Sequence, residues 1–221
     1  MRVLAIDTSS NVATVAVMED ELLLGEYILN HKKTHSQKIM TMIEQILSEL
    51  ELTVRDIDIF AAAIGPGSFT GLRIGVATVK ALAYNVPYAE HIIVPIMDAR
   101  RDNVFTASYI WDEGFKEIGE PEAISIDECL ESCGEFLDTI FVGDGVKVHR
   151  EYIKEKLGDK AIFPPANALN SRASSVAALA LDKAKRGETQ SYLEMKPYYI
   201  RKSQAERELE ERENKEKGES K

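Results

Sequence analysis

The chain has 221 residues, with 27 Lys and Arg against 37 Asp and Glu, a formal net charge of −10 and a pI near 5.0. That length makes one domain or two small ones, with a core that needs no disulfide or metal staple. Ten surplus negative charges argue against a surface that itself grips nucleic acid, because such binding neutralises phosphates with Lys and Arg, and 44% hydrophobic residues exclude a disordered chain.

Val3-Leu4-Ala5-Ile6 reads as a strand buried on both faces. It meets Asp7 too early for a signal peptide. No stretch approaches the roughly 18 apolar residues of a membrane span, so the expected location is cytoplasmic. Residues 7–11 are polar turn chemistry, and strands at 14–18 and 22–29 complete a three-strand meander. Thr34 and Gln37 have capping-box spacing for the helix that follows. Its residues Ile39, Met40, Met42, Ile43, Ile46, Leu47 and Leu50 fill an arc of about 160°, wider than a surface helix needs. Such a face suits deep burial on its own sheet, or a sheet on one side and a partner on the other.

A fourth strand at 58–64 runs into Gly65-Pro66-Gly67-Ser68-Phe69-Thr70-Gly71-Leu72-Arg73-Ile74-Gly75 and a helix to Tyr84. That helix is apolar almost all round. Arg73 and Lys80 share one narrow polar stripe, so the helix must be covered on two sides. Strands at 92–97 and 104–110 are joined by Asp98-Ala99-Arg100-Arg101-Asp102-Asn103. Ser125 and Glu128 form a capping box for a helix that carries Cys129 and Cys133, with Gly134 at its end. Those two cysteines read as reduced structural thiols. A strand at 140–142 precedes Gly143-Asp144-Gly145, and a helix at 174–186 stops at Gly187. The order predicts an α/β protein with mixed sheets. From Gln204 the tail is charge-dense, with seven acids and five bases.

Three places offer chemistry. A strand, glycines and then a helix present backbone N–H groups to an anion or a partner. However, the segment lacks the P-loop register and its Lys, and a structural turn reads equally well. The hairpin at Asp7, Thr8 and Ser9 suits a metal–phosphate group held through water, or simply a capped turn. His31 and His35 are four apart, but His31 precedes the helix and no third ligand is evident, which argues against a metal site.

Taken in order, Ile6-Asp7-Thr8-Ser9, His35-Ser36-Gln37, the 65–75 glycine segment, Asp98-Ala99-Arg100-Arg101 and Tyr199-Ile200-Arg201-Lys202-Ser203-Gln204-Ala205-Glu206 resemble the bacterial TsaB (YeaZ) family of tRNA threonylcarbamoyladenosine biosynthesis. The resemblance implies two RNase H-like, actin-like ATPase lobes with mixed sheets flanked by helices, the second abbreviated. It divides the chain into a first lobe at 1–91, a second at 92–203 and the tail at 204–221. The family member is a non-catalytic scaffold that binds and activates the transferase TsaD together with TsaE, and meets tRNA only through the complex. Its first two helices pair with those of TsaD, or with a second copy as a homodimer. That assigns Ile39, Met40, Met42, Ile43, Ile46, Leu47, Leu72, Arg73, Val76, Val79 and Lys80 to partner binding. Asp7, Thr8, Ser9, Gly65, Gly67, Ser68 and Gly71 are the candidates for a nucleotide or other anion. No cofactor is required by the subunit itself; ATP or ADP with Mg belongs at the complex interface. No catalytic or metal-ligating residue is expected, since the helix after the glycines lacks the His pair of the catalytic relatives. The family places a longer segment between Pro87 and Asp98, where this chain has ten residues. The alternatives are a self-sufficient actin-like ATPase or kinase, using Asp7-Thr8-Ser9 with Gly143-Asp144-Gly145, and a metallopeptidase-like protein.

Overall fold

A computed structural model describes residues 1–10, 12–30, 35–63, 75–86, 91–134 and 138–191, with backbone only at 35–37 and 75–79. Thr34, the Gln37 side chain, residues 65–74 of the glycine segment and the charged tail lie outside it. The elements are β1 (Arg2–Asp7), β2 (Val12–Glu19), β3 (Leu22–Asn30), α1 (His35–Glu49), β4 (Ile59–Ala63) and α2 (Gly75–Tyr84). There follow β5 (Ile92–Asp98), β6 (Asn103–Trp111), β7 (Phe115–Ser125), α3 (Ile126–Ser132), β8 (Thr139–Val142), α4 (Gly145–Leu157), β9 (Ala161–Ile162) and α5 (Ala173–Lys185).

The strands form two mixed sheets on one plan. In the first, ordered β3-β2-β1-β4, the expected meander is antiparallel and β4 joins β1 in parallel. In the second, ordered β7-β6-β5-β8-β9, a second meander is followed by parallel β8 and β9. Period-two alternation explains the layering. Leu4, Val15 and Val17 face Met42, Ile46 and Leu47 of α1, whereas Val3, Ala5, Ala16 and Met18 face Ala173, Val176, Ala177 and Leu181 of α5. In the second sheet Ile93, Met97, Phe105 and Tyr109 face Leu82 and Ala83 of α2. Val94, Ile96 and Phe141 face Cys129 and Leu130 of α3 and Val146 and Ile153 of α4. Helices α2 and α5 therefore make the layer between the sheets, with α1 outside one and α3 and α4 outside the other.

Local signals read from the residues recur in the structure. The α3 capping box is formed: Glu128 N–H donates to Ser125 Oγ at 3.2 Å, and Ser125 N–H donates to the Glu128 carboxylate at 2.9 Å. Gly134 and Gly187 adopt φ of +72° and +75° beyond α3 and α5, where a side chain would be strained. Both cysteines are buried and free. Three elements are additional to the sequence reading: β7, α4 and β9. Pro121 fits within β7 because β7 is an edge strand, where a missing N–H leaves no partner unsatisfied.

Candidate functional site

Asp7 ends β1, and Ala63, the last described residue before the glycine segment, is its partner on β4. The Asp7 carboxylate is almost completely buried, so it needs donors. One oxygen accepts the Ser9 backbone N–H at 2.8 Å and the Ser9 hydroxyl at 2.6 Å, the side-chain turn expected of an Asp at a strand end. The other accepts the hydroxyl of Ser171, which stands just before α5. Thr8 is half-buried.

The strap from Asn170 to Ser175 is held by three residues of the first half of the chain. Besides Asp7, Glu26 of β3 accepts Arg172 Nε–H at 2.9 Å, the Ser174 backbone N–H at 3.0 Å and its hydroxyl at 2.8 Å. Asn85 donates to the Asn170 carbonyl at 2.9 Å and accepts the Ser175 hydroxyl. Glu26 thus supplies the α5 N-terminus with the acceptor that Arg172, at the N-cap position, does not provide.

From the second sheet, the Gly143-Asp144-Gly145 turn closes over β5. A Cβ at Gly143 (φ +103°) would stand 2.2 Å from the Ile96 carbonyl oxygen, and one at Gly145 2.9 Å from the same atom, so glycine is required for that approach. The Asp144 carboxylate accepts the Asp98 backbone N–H at 3.2 Å. Burial pushes the Asp144 carboxyl above its ordinary range; the backbone N–H of Asp98 pulls the other way, and the Asp98 carboxylate adds to the rise.

Between these groups lies a cavity of about 10 Å³ lined by Ser10, Leu82, Met97, Asp144, Asn170 and Ser171. That is room for about one water. The cavity that the described residues enclose does not admit a nucleotide. A larger cavity of about 370 Å³ lies beyond α3, among Thr106, Ser108, Ile118, Glu122 and Cys133. It contains none of the residues that the sequence offers for partner or anion binding.

The partner-binding candidates divide. Met42, Ile46 and Leu47 are buried against the first sheet, Ile39 and Ile43 are half-buried, and Met40 is 58% exposed. Phe60, also 58% exposed, pairs with Leu4 and so projects from the sheet face that α1 covers. Sequence periodicity did not single it out, because only the register shows that its face is left open. Lys80 is half-buried, and its charge acts on the Glu188 carboxylate. Val76 and Val79 are on α2 with their side chains outside the described residues. Gly65, Gly67, Ser68, Gly71, Leu72 and Arg73 also lie outside them.

Two mixed sheets of repeated plan, a shared helical layer and a cleft closed by its own hydroxyls define an α/β protein of two like halves. The fold is that of YeaZ from Pseudomonas aeruginosa (TM-score 0.70, 22% identity, 90% of this chain and 99% of that one). A second Pseudomonas aeruginosa structure, described as similar to peptidase YEAZ, matches with TM-score 0.74 at 23% identity over 90% and 99% of the two chains. The TsaB protein of Bacillus subtilis is 30% identical, covering 93% of this chain and 96% of its own length, and that of Escherichia coli is 28% identical over the same shares. The chain belongs to the TsaB family of tRNA threonylcarbamoyladenosine biosynthesis proteins. Residues 23–89 also match the family model of TsaD, tRNA N6-adenosine threonylcarbamoyltransferase. Among the described residues no helix is long and apolar enough to cross a membrane.

Proposed function

We propose that the chain is a non-catalytic scaffold subunit of the machinery that makes tRNA threonylcarbamoyladenosine, and that it binds and activates TsaD together with TsaE. The observation that carries this reading is the open apolar surface beside α1. Met40 and Phe60 are each 58% exposed, and Ile39 and Ile43 are only half-covered. A group of large apolar side chains left in water favours association. The 23–89 match to the TsaD model spans α1, β4 and α2, so the transferase presents related elements that can pack like against like. A second copy of this chain offers the same elements, so the same face would pair two copies as a homodimer when TsaD is absent.

The cleft supports a non-catalytic role. Asp7 accepts hydrogen bonds from Ser9 and Ser171, and among the described residues the adjoining cavity is too small for a nucleotide. ATP or ADP with Mg is accordingly assigned to the interface of the complex, and the tRNA contacts to the other subunits, consistent with a net charge of −10 here.

Size-exclusion chromatography of the chain with TsaD from the same organism tests the reading. The wild type co-elutes with TsaD. The double variant Met40→Glu/Phe60→Glu loses the complex while its circular dichroism is unchanged, because neither side chain belongs to the core. Retention of the complex by that variant overturns the assignment.

A further inference from the structure

The hairpin between β5 and β6 is built against ordinary backbone preference. Arg100, Arg101 and Asp102 have φ of +65°, +54° and +56°, three consecutive non-glycine residues in the left-handed region. Asp tolerates that region, but arginine has no short side chain with which to compensate the clash of its Cβ. Glycine or asparagine is the ordinary choice at such a turn. The strained conformation is nevertheless held firmly. Arg100 N–H donates to Asp98 Oδ1 at 2.8 Å, and Asn103 Nδ2 donates to the carbonyls of Arg100 at 3.3 Å and Arg101 at 2.8 Å. Outside the hairpin, Ile126 N–H donates to the Asp102 carbonyl at 2.8 Å and ties the turn to α3.

The two guanidiniums do nothing for the fold. Both residues are exposed, and among the described residues neither guanidinium has an ion pair, hydrogen bond or ring contact. Among the other described arginines, Arg2 is engaged with Glu19, Arg150 lies over Phe163, Arg172 pairs with Glu26 and Arg186 with Glu188, and Arg55 stands alone on a short 3-10 turn with ordinary backbone. In a chain with ten surplus acids, two adjacent arginines left free on a rigid, strained turn are placed for something outside the chain.

We propose that the Arg100–Arg101 hairpin is a second docking surface, separate in sequence and structure from the α1 face, that receives carboxylate side chains of the protein partner. Guanidinium forks match carboxylates in bidentate geometry. Asp98 and Asp102 flank the pair, and with the net charge they disfavour the dense, continuous charge of a nucleic-acid backbone, whereas isolated carboxylates on a mixed protein surface fit between them. The partner's identity as TsaD rests on the proposed function above.

The test combines stability and affinity on the full chain. Arg100→Gly/Arg101→Gly relieves the strain, so its thermal midpoint rises by about 2 °C or more, while the Kd for TsaD weakens at least tenfold. Arg100→Glu/Arg101→Glu keeps the strain and reverses the charge; it weakens binding further and inverts the salt dependence that the wild type shows, because salt now screens a repulsion. Unchanged affinity in both variants, with the wild type binding, overturns the hairpin's role and leaves the scaffold reading standing. A glycine variant with no rise in midpoint overturns the strain argument and the proposal with it. A wild type that forms no complex overturns the scaffold reading, and this inference falls with it.

Discussion

Asp144 acts as a clasp and as a charge in one confined place. Its carboxylate fastens the end of β5 to the start of α4, yet burial makes the ionised form costly there. The folded-state pKa is raised, so the folded chain holds this proton more tightly than the unfolded chain does. The stability associated with that proton is present below the ordinary carboxyl pKa and is lost as pH rises through the raised value. Asp144→Asn keeps an acceptor for the Asp98 N–H and removes the charge. Urea denaturation should therefore show the variant more stable than wild type at pH 7, with the difference vanishing near pH 3. Equal stability at both pH values would contradict a buried charge at this position. Residue-scale chemistry of this kind was only partly legible in the sequence. Asp7 stood out as a carboxylate at a strand end, but its donor Ser171 is 164 residues away. Glu26 looked like one more polar residue in a strand, because the α5 terminus that it caps begins nearly 150 residues later. No local pattern encodes such pairs.

Elements were readable where their signals are local, as with the α3 capping box, the glycines after α3 and α5, and the apolar runs of β1, β5 and β8. β7 was not readable for a physical reason. At a sheet edge it alternates weakly, with Lys116, Glu117, Glu120 and Glu122 in water and Pro121 and Gly119 within its span. α4 was obscured because one position of its buried stripe, Val146-His149-Ile153, is a histidine. For α2 the sequence required cover on two sides, and the structure supplies both: Ala81 packs with the first sheet's core and Leu82 and Ala83 with the second's. The end of α2 is fixed by aromatic packing, with the Tyr84 ring centroid 5.0 Å from Trp111 and 5.2 Å from Phe115. Trp111 is the sole tryptophan, and its indole N–H is buried without a hydrogen-bond partner among the described residues, so its emission reports this contact directly. Tyr84→Ala should cost about 1–3 kcal/mol in chemical denaturation and shift Trp111 fluorescence to the red. An unshifted emission maximum would mean that α2 is not seated on β6 and β7.

At the scale of the whole molecule, the two halves exchange helices. α2, from the first half of the chain, packs on β5, β6 and β7, whereas α5, from the second half, packs on β1, β2 and β4. Each sheet thus has one face buried by a helix encoded with the other, and the Asn170–Ser175 strap is pinned by Asp7, Glu26 and Asn85 from across the molecule. A chain cut between residues 91 and 92 leaves the first sheet without α5 and the second without α2. The exposed faces would be apolar: Val3, Ala5, Ala16 and Met18 on one side, and Ile93, Met97, Phe105 and Tyr109 on the other. A small domain that loses one of its two cores has little stability to spare, since the net free energy of folding is a small difference between large opposing sums. Fragments 1–91 and 92–221, expressed separately, should therefore lack a cooperative thermal transition, and mixing them should restore both the transition and the native circular dichroism. The intact chain should unfold in one step, with far-ultraviolet dichroism and Trp111 emission changing together. Two well-separated transitions, or a 1–91 fragment that melts cooperatively alone, would show that the first sheet does not depend on α5.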